Sequence, residues 1–238
     1  MNKSHLLPPN LTLFGYQICP YVLRVRYILS LLELDHHYIE LDVYASKPAQ
    51  LLRYSPMGRV PALIIDNDAL CDSTVISQWL SQVYAEHQLL PTNTWAKAKM
   101  MNDMAAIDSV HDAISQLISA VDKAAFNAAL MRFSHVLPTV LTLLRAPCVT
   151  PNSLLDVWAM VLAHLVRSVD AVLQGVLSER IPHIRSLPDI YRSRESASVR
   201  YQALLPKDYL TQLHSMMAHR NAYCVQPNNI ALEEEEFA

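Results

Sequence analysis

Glycine is almost missing from this chain: 3 residues in 238, set against 14 prolines. So few glycines argue against glycine-rich phosphate-binding loops and against an all-β fold of many tight turns, and they favour long helices. A surplus of basic charge is missing too. The formal net charge is −3, so there is no basic patch to meet a phosphate backbone, and nucleic acid is not expected as a partner. No apolar run is both long and unbroken. The most apolar stretch, residues 157–177, is interrupted by His164, Arg167 and Asp170, and reads as a buried helix with no role in a membrane. Residues 1–10 hold two prolines and no continuous apolar core, so no secretion signal is expected. The four cysteines, at 19, 71, 148 and 224, show no metal-ligand spacing. Neither a metal site nor a disulfide framework is expected, and the expected setting is reducing and cytoplasmic.

What is present is a composition 52% hydrophobic and 17% charged, that of a compact globular protein. The hydrophobic period changes along it. Leu11–Phe14 reads as a strand, Tyr21–Leu34 as a helix with Val25, Ile28, Leu29 and Leu32 inward and Arg24 and Arg26 outward, and Tyr38–Leu41 as a second strand. A short helix over Ala49–Arg53 precedes the turn Ser55-Pro56-Met57-Gly58. Pro61–Ile65 and Ala69–Cys71 form a hairpin about Asp66-Asn67-Asp68, and Asp72-Ser73 opens a helix through Val75, Ile76, Trp79, Leu80 and Val83. Beyond about residue 92 every periodic segment is helical. One series runs from Met101 to Val121 and another from Phe126 to Leu144, with Pro138 as an expected kink. Ser153 to Asp156 reads as a capping box before the apolar run. The expected domains are 1–91, mixed α/β, and 92–238, all-helical, ending in a disordered acidic tail at Glu233–Glu236.

Cys19 is the residue with the clearest chemical promise. It stands between strand and helix, and Pro20 suits the first helical position because its missing N–H has no partner to lose there. A thiol at that mouth faces open backbone N–H groups and the positive end of the helix dipole, which eases its ionisation. The structural alternative is a small buried hydrophobe. Val60-Pro61, entering a strand after a turn, is a context for a cis proline, and Val60 would then offer its backbone to an extended peptide. Asp72 and Ser73 present a carboxylate, a hydroxyl and fresh helix N–H groups together, which suits a ligand carrying both an ammonium and a carboxylate. Plain N-capping accounts for the same pair. Lys47 and Arg59 are loop cations. His36-His37 reads as a solvated helix end.

Taken together, Cys19-Pro20-Tyr21, Gly58-Arg59-Val60-Pro61, Asp72-Ser73 and the Ser153–Asp156 cap resemble the cytosolic glutathione transferase superfamily. Tyr16, Ile18 and the helix that follows are most similar to the omega class and its glutaredoxin-like relatives, whose active residue is a cysteine. The resemblance implies a thioredoxin-like N-terminal domain, an all-α C-terminal domain, glutathione as co-substrate, and a homodimer. It places the γ-glutamyl end of glutathione at Asp72-Ser73, its backbone along Val60 and Pro61, and its glycyl carboxylate at Lys47 or Arg59. The family more often carries Glu where this chain has Asp72. It implies a thiol transferase cycle at Cys19 of the dehydroascorbate-reducing or deglutathionylating kind. With Val at position 22 there is no second cysteine to close an internal disulfide. Two alternatives remain: a conjugating transferase, with Tyr16 the nearest hydroxyl, and a binding protein without catalysis. The second substrate is expected near Met101, Met104 and His111.

Overall fold

The computed structural model describes residues 10–84, 88–145, 152–187 and 195–226. Residues 1–9, Cys148 and the acidic run Glu233–Glu236 lie outside the described residues. The chain divides into two compact units, Met1–Leu89 and Leu90–Ala238.

The first unit runs β1 (Leu11–Gly15), α1 (Pro20–Leu31), β2 (His37–Glu40), α2 (Ala49–Tyr54), β3 (Ala62–Ile65), β4 (Asp68–Cys71) and α3 (Ser73–Val83). The sheet order is β2-β1-β3-β4. β1 and β2 are parallel because α1 carries the chain back between them, whereas β3 and β4 are antiparallel across a tight turn. In that turn Asp66 adopts φ 55°, a conformation Asp tolerates. One face of the sheet buries Phe14, Leu41, Leu51, Ala62 and Ile64, with Tyr54 of α2 packed against them. Leu13 and its register partners Tyr38 and Leu63 belong to the opposite face, the one covered by α1.

Two sequence expectations fail here for one reason. Arg24 was expected outside, yet it is wholly buried, its guanidinium 5.1 Å from the Tyr21 ring centroid. Val75 and Val83 were expected inside α3, yet they are 48% and 50% exposed, and the buried stripe is Ser73, Ile76, Ser77, Leu80 and Ser81. α1 packs against α3, and the buried arc of α1 widens past its aliphatic side. The hydroxyls of Ser77 and Ser81 donate to the carbonyls one turn back, at 2.5 and 2.7 Å, so this stripe satisfies its own polar groups.

The second unit is helical among the described residues: α4 (Thr94–Leu117), α5 (Lys123–Arg145), α6 (Leu154–Val172), α7 (Val176–Arg180), α8 (Glu195–Gln202) and α9 (Tyr209–His219), with 3-10 turns at Pro182–Ser186 and Tyr223–Val225. α6 forms the core, contacting both α4 and α9. Its Trp158 is fully buried and donates its indole N–H to Asp108 at 3.0 Å. Pro138 lies inside an uninterrupted α5. The apolar series of α4 stops earlier than expected: the helix ends at Leu117, and Val121 is 58% exposed. The cap of α6 also differs from the expected box. Ser153 Oγ accepts from the Asp156 N–H at 3.3 Å, but Asp156 returns its bond to the N–H of Asn152, one residue before Ser153. No helix among the described residues is long and apolar enough to cross a membrane.

Candidate functional site

Strand register brings the separated motifs of the first unit to one edge of the sheet. Gly15 at the end of β1 pairs with Glu40 at the end of β2; Phe14 pairs with Ala62 at the start of β3; Ala62 pairs with Cys71 at the end of β4. The segments leaving that edge carry Cys19 after β1, Lys47 after β2, Val60-Pro61 before β3, and Asp72-Ser73 after β4.

Cys19 is the N-cap residue of α1, with extended backbone (φ −73°, ψ 121°) and Pro20 next. The 16–19 turn is closed by the Cys19 N–H donating to the Tyr16 carbonyl at 3.1 Å, and the Leu23 N–H donates to the Cys19 carbonyl at 2.9 Å. Its side chain makes no capping hydrogen bond, is partly exposed and forms no disulfide. The sulfur thus stands at a helix N-terminus without being consumed by it, and an anion there is favoured by the dipole.

Val60-Pro61 is a cis peptide. The loop before it is organised by Ser55, which accepts from the Arg59 N–H at 2.9 Å and donates to the Arg59 carbonyl at 3.0 Å. Gly58 has φ +61°, and a Cβ built there would come within 2.4 Å of Lys47 Cδ and 2.9 Å of Lys47 Nζ. A side chain there would be strained by the left-handed backbone and would displace the Lys47 stem. The glycine therefore lets the Lys47 stem lie across the loop that leads into Val60. Arg59 is exposed and Pro61 buried.

Asp72 caps α3 through Oδ1, which accepts from Thr74 N–H at 2.8 Å and Val75 N–H at 3.2 Å. It is exposed, and Oδ2 is the oxygen outside those capping bonds. Ser73 is only 4% exposed, so its side chain presents much less surface than its carboxylate neighbour. Tyr16, the alternative hydroxyl, packs with Tyr54 and Val60 against the cluster around Phe14. Cys71 points its thiol to the Tyr54 carbonyl, 3.6 Å away.

Tyr38 carries no functional signal in the sequence. This residue of β2 lies under the Arg26 guanidinium, 4.6 Å from ring centroid to Cζ. Burial pushes its phenol above the ordinary range; Arg26 opposes that, and Glu40 and Cys19 add to it. The only sequence signal was an aromatic in a short strand, which is indistinguishable from core.

In the second unit two of the three expected second-substrate residues are buried, and Met101 is partly exposed. Met104 is 2% exposed and His111 is wholly buried, because α4 turns them into the core. Among the described residues no three His, Cys, Asp or Glu side chains converge as a metal site would require.

The family profile described as glutathione S-transferase, N-terminal domain, matches residues 13–88. A zeta-class glutathione S-transferase of Euphorbia esula is 34% identical over 92 residues, 38% of this chain and 41% of that protein. The chain thus matches about two fifths of the length of such curated relatives. Two solved structures share the fold over far more. Glutathione transferase Omega 3C from Trametes versicolor superposes with a TM-score of 0.71 at 22% identity, covering 92% of this chain and 94% of its own. Rice GST1, crystallised in complex with glutathione, gives 0.71 at 19% identity, covering 92% and 99%. Residues 13–88 thus match a glutathione S-transferase N-terminal domain, and the chain as a whole shares its fold with these glutathione transferases.

Proposed function

We propose that the protein is a glutathione-dependent thiol transferase that uses Cys19 as its single nucleophile. One observation carries the reading: a partly exposed cysteine at the N-cap of α1, its sulfur not spent on capping, at the sheet edge shared with the cis Val60-Pro61 and with Asp72. Glutathione is assigned to that edge. Its extended backbone runs along Val60, its ammonium meets the free side of the Asp72 carboxylate, its γ-glutamyl carboxylate takes the start of α3 at Ser73, and Lys47 or Arg59 takes the glycyl carboxylate.

The Cys19 thiolate attacks the glutathionyl sulfur of a mixed disulfide. A Cys19–glutathione disulfide forms, the old S–S bond breaks, and the substrate leaves as a thiolate that takes a proton from water. A second glutathione thiolate then attacks the glutathionyl sulfur on the enzyme, releasing oxidised glutathione and regenerating the Cys19 thiolate. Val22 occupies the place from which a second cysteine could compete, so resolution falls to glutathione.

Incubation with oxidised glutathione followed by intact-mass measurement tests this. One glutathionyl adduct is expected in the wild type and none in Cys19→Ser. Activity toward a chloronitrobenzene that survives Cys19→Ala would assign the protein to conjugation instead. Failure to be retained on immobilised glutathione would mark a binding protein without catalysis. Assembly as a homodimer belongs to the same proposal, and sedimentation equilibrium checks it.

A further inference from the structure

The buried Tyr38 hydroxyl and Nη1 of Arg26 have no hydrogen-bond partner. They belong to one arrangement, since the Arg26 guanidinium lies over the Tyr38 ring. Burying a donor without an acceptor is costly, so such a group calls for a reason.

The geometry of α1 supplies one. Cys19 and Arg26 are seven residues apart, nearly two full turns, so they lie on the same stripe of the helix, about 10 Å apart along its axis. That stripe faces Tyr38 at its Arg26 end. Tyr38 pairs with Leu13, two residues before the Gly15 end from which the chain turns up to Cys19. Two strand residues span about 7 Å, so Tyr38 stands under the Arg26 end of α1, about that far along the sheet from the end where the chain turns to Cys19. The charges acting on the Tyr38 phenol are those of Arg26 from α1, Glu40 from its own strand, and Cys19.

We propose that Tyr38 is a positioning residue for Cys19: its buried O–H, without an acceptor while the sulfur is a neutral thiol, hydrogen-bonds to that sulfur once it is a thiolate, directly or through one water. A thiol is a weak acceptor and a thiolate a strong one, so the bond forms with the charge and stabilises it. Burial keeps the phenol protonated well past neutral pH, so the donor is present wherever the enzyme works. Arg26 holds the ring in place by lying over its face. This inference rests on the reading of Cys19 as the nucleophile.

The test is the pH profile of Cys19 alkylation by iodoacetamide in the full chain, read on the Cys19 peptide by mass spectrometry so that the other cysteines do not contribute. Tyr38→Phe keeps the ring under Arg26 and removes only the donor. Its midpoint is expected to rise by about one pH unit, a roughly ten-fold smaller thiolate fraction below the midpoint. Tyr38→Met is expected to shift the same way, and far-UV circular dichroism checks that both variants fold. A midpoint equal to wild type in the folded variants overturns the assignment of Tyr38 while leaving Cys19 as nucleophile. A wild type that takes no glutathionyl group at Cys19 instead strikes the parent reading, and this inference with it; that failure is visible without any Tyr38 variant.

Discussion

Asp72 and Ser153 do the same local job in the two units and end in opposite circumstances. Each accepts backbone N–H bonds at the start of a helix, Asp72 for α3 and Ser153 for α6. Asp72 is exposed at a sheet edge, beside the loop that carries Val60, whereas Ser153 is 1% exposed and Asp156 is wholly buried. The same capping chemistry thus leaves a carboxylate open to a ligand in one unit and locks a helix into a core in the other. Exposure separates the proposed ligand contact from a structural cap, and residue type does not. The contrast extends to the two halves: in the first unit chemistry-bearing residues collect at strand ends, and in the second a buried Trp158 of α6 donates to Asp108 of α4.

The largest expected effect lies in the first unit. Cys19→Ser is expected to abolish the glutathionyl adduct while leaving the urea midpoint near wild type, measured by intact mass and by circular dichroism. An adduct that persists would remove the chemical distinction between the halves.

Next comes the core of the second unit. Trp158→Ala deletes the largest fully buried side chain and leaves Asp108 without its indole donor, and should destabilise the protein by about 3–5 kcal/mol in chemical denaturation. A loss under about 1 kcal/mol would mean that α6 is not the core it looks to be.

His164 of α6 sharpens the comparison through pH. Its ring lies edge-on to Tyr209 and Tyr201, with centroids 4.5 and 5.6 Å away, and Ser168 Oγ is 3.4 Å from Nε2. Burial pushes the imidazole down to about 4, with the charge of Arg167 contributing. Its folded value is below the unfolded one of 6.5, so it is neutral in both states at neutral pH. As pH falls below that value the unfolded chain binds the proton first, and stability drains away until the folded value is passed. The total is about 3 kcal/mol. Urea midpoints followed through that window should flatten in His164→Phe; an unchanged acid limb would place the sensitivity elsewhere.

The smallest effects test the two caps directly. Asp72→Ala and Ser153→Ala are each expected to destabilise by about 1 kcal/mol. Only Asp72→Ala should also weaken retention on immobilised glutathione. Equal binding losses from both would erase the contrast.

Much of the first unit could be read from the chain. A β-branched and aromatic strand, Cys-Pro at a helix start, Val-Pro before a strand and Asp-Ser before a helix are local signals, set by backbone chemistry within a few residues. They located Cys19, Val60-Pro61 and Asp72 where the fold has them. The misplacements of Arg24, Val75 and Val83 share a cause: they were assigned faces from hydrophobicity, but a helix touched on two sides buries an arc that its own sequence does not delimit, whereas Val121 lies beyond the end of α4. Asp156 returned its bond to Asn152 and not to Ser153 because the chain entering α6 curls back, which no spacing rule contains.

Sequence alone determined the elements and the residues standing at their ends, because capping, proline geometry and strand periodicity act over a handful of bonds. Only the tertiary structure decided which ends meet. The register of β1 against β2 and β3, and of β3 against β4, carries residues 19, 60 and 72 to one edge, and the packing of α1 on that sheet sets a buried phenol beneath the helix that Cys19 begins. Such pairings depend on the apolar surface that each face buries, a sum over distant residues.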